Sequence, residues 1–135
     1  MTLLYIDTNI FLNVINSEIN PYGKDIAAPA GKLLYDALSC KYILLVSTWT
    51  IKEMLKKIPV EKVKMTFVLL KDKIKRCEYN QDDVSLAEKR SKDNFPDALH
   101  IVIAEKMKAD FIVTRNISDF LAIGTNIPIR VPESL

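Results

Sequence analysis

Asp7 is the first residue whose type and position could do chemistry. It follows a short apolar run, Leu3 to Ile6, that is too brief for a helix and rich in branched and aromatic residues, so it reads as a buried strand. A second periodic run, Ile10 to Ile15, starts almost at once, with Thr8 placed to cap it. In open parallel α/β sheets ligands bind beyond the carboxyl ends of the strands, which puts the Asp7 carboxylate in the crevice. One further stretch repeats the arrangement, and another sets an acid at the start of a helix. The strand-like Ala109 to Thr114 runs into Arg115-Asn116, with Asp119 three residues on. Asn94 to Met107 opens with Pro96 and Asp97 and then becomes apolar around nearly its whole circumference, as a central buried helix does. Each residue also has a plain structural reading. Asp97 compensates a helix dipole, Asn116 is a turn asparagine, and Asp119 enters a helix that Ser118 can cap, through about Phe120.

Other chemistries are poorly served. Two cysteines, Cys40 and Cys77, and one histidine, His100, fall short of a structural zinc site, and buried reduced thiols are the simpler reading. A serine or cysteine hydrolase triad would need His100 as its base, and a helical setting among apolar neighbours argues against that. The net charge of +2 is unevenly spread, because Lys52 to Lys92 holds 12 basic and 7 acidic residues. Such a stretch permits a polyanionic partner, although solvated helix faces read the same way.

The elements that must position these groups alternate. After the first helix comes a polar loop, Asn16 to Gly23, with a turn at Asn20-Pro21. Ala30, Leu33, Leu34, Ala37 and Leu38 stripe a second helix that Pro29 can open, and Tyr42 to Val46 is the next buried strand. Ser47 or Thr48 caps a third helix running to about Ile58, where Pro59 stops it. Its inward face is expected to be Ile51, Met54, Leu55 and Ile58, which leaves Glu53 on the far side with Trp49. Glu53 there reads as a solvated acid, whereas a lone outward tryptophan suggests a cleft or a partner. Val60 to Leu70 reads as a fourth helix, Ile74 to Tyr79 as a strand, and Gln81 to Lys92 as a polar helix capped by Asn80 or Asp82. Ile127 to Val131, with its proline, is expected at a sheet edge. At 135 residues and 49% hydrophobic the chain suits one domain, 1–135, of α/β class. Its longest apolar stretch, about five residues, is far below the roughly 20 of a membrane span. With no signal peptide evident, a cytoplasmic protein without membrane association is expected.

The order of four motifs resembles the PIN-domain nucleases, and most of all the VapC-type toxins of toxin–antitoxin pairs. The motifs are a strand ending in Asp7-Thr8-Asn9, Glu53 in the helix after the second strand, Pro96-Asp97 opening a buried helix, and Thr114-Arg115-Asn116 at a strand end. The resemblance runs from Leu3 to about Pro132. It implies a three-layer α/β/α fold with a mostly parallel sheet and an acidic pocket holding Mg²⁺ or Mn²⁺ for RNA cleavage. It places Asp7, Glu53 and Asp97 as metal ligands and Asn116 in a fourth catalytic position, often aspartate, where Asp119 can compensate for the missing charge. It further implies an antitoxin partner and a homodimer, for which Trp49 and the stripes of the second or fourth helix are available. Magnesium takes oxygen ligands and lowers the pKa of bound water, so three acids suit hydrolysis of a phosphodiester. Thr8, Asn9 and Thr114 would orient the carboxylates and Arg115 could meet a phosphate. A solitary PIN nuclease in RNA processing and a non-catalytic RNA-binding or assembly module share these features. A phosphoacceptor receiver or an aspartate-nucleophile phosphatase fits less well, since the latter wants an Asp where Asn9 stands.

Overall fold

A computed structural model describes residues 1–17, 25–39 and 41–135, Leu38 by its backbone alone. The expected Asn20-Pro21 turn and Cys40 lie outside the described residues.

Among the described residues five strands form one sheet: β1 (Thr2–Ile6), β2 (Tyr42–Ser47), β3 (Ile74–Cys77), β4 (Phe111–Val113) and β5 (Ile129–Arg130). Their order is β3-β2-β1-β4-β5 and every pairing is parallel. Chain order therefore runs outward from β1 in one direction to β3 and resumes on its other side at β4. The change of direction falls between β1 and β4, where a crevice opens at the carboxyl ends.

The pleat divides the core. Leu4 and Ile6 of β1, Leu44 and Val46 of β2 and Val113 of β4 face one side, where α1 (Thr8–Ile15), α2 (Ala27–Leu38), α3 (Thr48–Lys57) and α4 (Val60–Leu70) pack. Tyr5, Leu45 and Ile112 face the other, against α5 (Gln81–Arg90), α6 (Phe95–Lys106) and α7 (Ile117–Ile123). Side chains alternate across a strand with a period of two, so an apolar run such as LLYI feeds both layers. The three-layer α/β/α arrangement with a parallel sheet is the one expected, and β5 is an edge strand.

Several local expectations shift. Helix α2 starts at Ala27, so Pro29 is its third residue, and Asp25 Oδ1 accepts from the Ala27 and Ala28 amides at 2.9 and 3.1 Å. A first-turn proline costs little there because those amides lack helical acceptors anyway. Thr8 begins α1 instead of capping it, and α7 begins at Ile117, ahead of Ser118. Asn80 and Asp83 form a reciprocal capping box on α5, so Asn80, not Asp82, is the cap. In α3 the buried row is Thr50, Met54 and Ile58, whereas Leu55 is 46% exposed. Ser47 is the cap, its Oγ accepting from the Thr50 amide at 3.1 Å. Burying Thr50 beside it turns the helix, because Leu55 lies about 140° from Thr50 at 3.6 residues per turn. The same rotation brings Glu53 inward.

Candidate active site

Asp7 leaves the end of β1 in extended conformation and is almost fully buried. Its amide donates to the Val113 carbonyl of β4 at 3.0 Å, which fixes it at the crevice. Thr114, just past β4 and fully buried, donates its hydroxyl to Asp7 Oδ2 at 2.8 Å. The Thr114 Oγ1 also accepts the Asn116 amide at 3.0 Å, and Asn116 in turn donates its side-chain Nδ2 to Asp97 Oδ2 at 2.9 Å. Asp97 thus joins Asp7 through two intervening residues, the Thr114 hydroxyl and the backbone and side-chain amides of Asn116. A second amide, Asn94 Nδ2, reaches the same Asp97 oxygen at 3.0 Å.

Glu53 enters from the other bank. Its Oε1 accepts from the Thr8 hydroxyl at 2.6 Å and from His100 Nε2 at 2.6 Å. His100 Nε2 also lies 3.5 Å from Asp7 Oδ1, so the imidazole stands between two acids. Its Nδ1 is 2.6 Å from the Tyr5 hydroxyl, itself 2.8 Å from Ser47 Oγ. As an imidazolium His100 donates from both nitrogens, Nε2–H to Glu53 and Nδ1–H to the Tyr5 oxygen, which passes its own proton toward Ser47. The sequence argued against a chemical setting for His100 because its neighbours along the chain are apolar; the fold nonetheless brings it into the acidic cluster. One signal could have found it, since Asp97 and His100 are three apart and share a face of α6.

The electrostatics follow from this packing. Burial opposes the His100 cation, but the Glu53 hydrogen bond and the charges of Asp7, Glu53 and Asp97 outweigh it and raise the imidazole above its ordinary value. For Glu53, burial pushes upward while the His100 hydrogen bond and charge and the Thr8 hydroxyl win, holding the carboxyl below the usual range. Asp97 goes the other way. Burial dominates and the nearby Asp7 charge adds to it, against the two asparagine amides, so its carboxyl is raised.

Asp7, Glu53 and His100 each offer a ligand atom, all within 4.8 Å of one another. Carboxylate oxygens converging from different elements suit a hard divalent cation, and the His100 nitrogen becomes a further donor only when it has given up its proton. The donor set fits a metal.

The remaining expected residues fall elsewhere or at the margin. Arg115 turns away from the cluster: its Nε donates to Asn13 Oδ1 at 3.0 Å, one terminal nitrogen donates to the Ile26 carbonyl at 2.9 Å, and the guanidinium pairs with Glu133 at 2.8 Å. Asn9 and Asp119 are exposed, the latter in the first turn of α7. Cys77 is a buried free thiol. No helix among the described residues is long and apolar enough to cross a membrane.

Several solved structures share this fold. VapC20 of Mycobacterium tuberculosis, described as a sarcin-ricin loop cleaving toxin, superposes with a TM-score of 0.62 at 16% identity, covering 90% of this chain and 95% of that one. VapBC2 of Rickettsia felis bound to a DNA fragment from its promoter gives 0.61 at 16% identity, with 96% and 97% covered. A toxin–antitoxin complex from Klebsiella pneumoniae gives 0.60 at 20% identity over 98% of each chain. No curated protein sequence matches the chain significantly. The family model described as PIN domain matches residues 4–118, which takes in β1 with Asp7, Glu53 of α3, Asp97 and His100 of α6, and Asn116, and the chain belongs to the PIN-domain family.

Proposed function

We propose that the protein is a metal-dependent endoribonuclease that hydrolyses RNA phosphodiester bonds, and that it is the toxin of a toxin–antitoxin pair. The observation that supports this reading is the convergence of Asp7 and Glu53, with His100, on ligand atoms within 4.8 Å of one another, and the tie of Asp97 to Asp7 through Thr114 and Asn116. Asp7, Glu53 and Asp97 would hold Mg²⁺ or Mn²⁺. Such an ion, when bound, neutralises charge on a phosphodiester and supplies water of lowered pKa. Thr114 and Asn116 keep the Asp7 and Asp97 carboxylates oriented, Thr8 and His100 do the same for Glu53, and Asn116 occupies the fourth position without adding charge. Asp119, exposed on α7, is available to an incoming metal or strand.

An antitoxin as partner is supported by the similar structure from Klebsiella pneumoniae, which is described as a toxin–antitoxin complex. A small DNA-binding protein with an extended tail, encoded next door and co-purifying with this chain, is the expected finding. The catalytic reading is tested with Asp7→Asn, which keeps the shape of a buried side chain while removing its charge. Cleavage of a structured RNA should be lost in the folded variant; cleavage at the wild-type rate would contradict the assignment.

A further inference from the structure

Trp49, the only tryptophan in the chain, is unused by the hydrolysis just described, yet it stands one helical turn before Glu53 on α3. Its indole N–H donates to the Pro96 carbonyl at 3.2 Å, the residue before Asp97, so the ring is tied to both banks of the acidic cluster. Tyr79 and Phe95 meet it edge-on, with ring centroids 6.0 and 5.9 Å away, and all three rings are half-buried. His100 of the cluster is 6.4 Å from it on the same measure. Two exposed lysines border these rings: Lys56 Nζ is 5.8 Å from the Trp49 centroid, and Lys52 Nζ is 5.1 Å from that of Tyr79, at the hydroxyl edge, where it donates to the hydroxyl at 2.7 Å.

A half-buried tryptophan at the edge of a cleft can carry an ammonium beside its ring as a surface cation–π pair. One that docks an apolar protein face would force that ammonium out of water, at a desolvation cost with no anion to offset it. An unpaired nucleotide satisfies both groups. Its base takes the aromatic face, and the displaced lysine moves to its phosphate. We propose that Trp49, with its tilt fixed by Tyr79 and Phe95 and with Lys52 and Lys56 at its rim, is a stacking platform for one unpaired base of an RNA strand whose neighbouring phosphate lies at the acidic cluster. The inference rests on the nuclease reading above. It narrows the substrate to RNA with a splayed-out base near the scissile bond, because bases inside a duplex are stacked on one another and cannot reach a protein ring.

A single tryptophan makes the test direct. Asp97→Asn protein in Mg²⁺, chosen so that the strand stays intact, is titrated with an end-labelled unstructured RNA of about eight nucleotides, within the span of known single-strand sites. Label anisotropy reports binding and indole emission reports stacking. The expected result is saturable quenching of Trp49 with the midpoint of the anisotropy curve, and none with a blunt duplex of the same sequence. Trp49→Leu in the same background should bind about tenfold more weakly by anisotropy, and Trp49→Phe, which keeps a ring, should stay near the parent. Binding without quenching, absence of any binding, equal quenching by duplex, or an unchanged midpoint in folded Trp49→Leu would overturn the platform. So would an emission change that follows protein concentration without RNA, which would assign Trp49 to a contact between copies of the chain. Wild-type cleavage of the same strand separates the two failures. Metal-dependent cutting without a role for Trp49 ends the platform alone, whereas absence of cutting ends the nuclease reading as well.

Discussion

Glu53 and His100, 47 positions apart in sequence, share a 2.6 Å hydrogen bond in which the imidazole N–H points at a carboxylate that Thr8 also holds. In the protein without metal this contact balances the acids. His100 lies on a fully buried helix face and, when protonated, brings a positive charge between Glu53 and Asp7.

The pH dependence of that contact can be signed. His100 has a raised value in the fold, so its stabilisation is fully present below the unfolded value of about 6.5 and is lost as pH rises through the folded one. Glu53 has a lowered value, so its share is present above about 4.5 and is lost as pH falls through the folded value. His100→Gln keeps one donor and loses the charge. Thermal unfolding in chelator should show it less stable than wild type by roughly 1–2 kcal/mol near pH 6, with the gap closing toward pH 9. An identical gap at both pH values would mean that the cation does not hold the cluster together.

Asp97→Asn separates a ligand from a helix-start residue. Burial and the Asp7 charge raise the Asp97 carboxyl, so ionising it at neutral pH costs the folded state, and the amide removes that cost. In chelator the variant should be as stable as wild type or more so. Turnover should fall about 100-fold or more, beyond what losing a mere hydrogen-bond partner of a ligand costs. A less stable variant that still cleaves at the wild-type rate would leave Asp97 as a dipole-compensating residue.

Arg115 was expected near a phosphate, and the fold gives it a clamp to hold instead. Its guanidinium spans Asn13 of α1, the Ile26 carbonyl before α2, and Glu133 near the C-terminus. Arg115→Met should lower stability by roughly 1–3 kcal/mol, with RNA cleavage well below the melting temperature little changed. Unchanged melting with collapsed turnover would return Arg115 to the substrate.

The strands and the position of Asp7 were legible because an apolar run that ends in a polar turn and restarts with a new period leaves few alternatives. Glu53 was harder. Its angle around α3 depends on which row is buried, and that was decided by the Ser47–Thr50 cap, not by Leu55, which the apolar pattern favoured. His100 was hidden by its neighbours, since Ala98 to Ala104 is buried on every side, and only its three-residue spacing from Asp97 marked it. The reach of Arg115 toward residues about 100 positions away in sequence is a tertiary fact that no local pattern carries.

A homodimer is a further expectation. Met65, Val68 and Leu69 of α4 are each about two-thirds exposed, an apolar surface suited to a two-fold contact. Light scattering at tens of micromolar should give twice the chain mass of 15.4 kDa, and a monomer there would contradict it.

The central claim is that the acids at the carboxyl ends of β1 and β4 cleave RNA through a divalent ion. The measurement that tests it most directly is cleavage of a structured RNA by purified wild-type protein in excess chelator and after Mg²⁺ or Mn²⁺ is restored, with Asp7→Asn alongside. Cleavage that disappears in chelator, returns with the metal and is absent from Asp7→Asn is the predicted result. Undiminished cleavage in chelator, or equal cleavage by Asp7→Asn, would contradict the account.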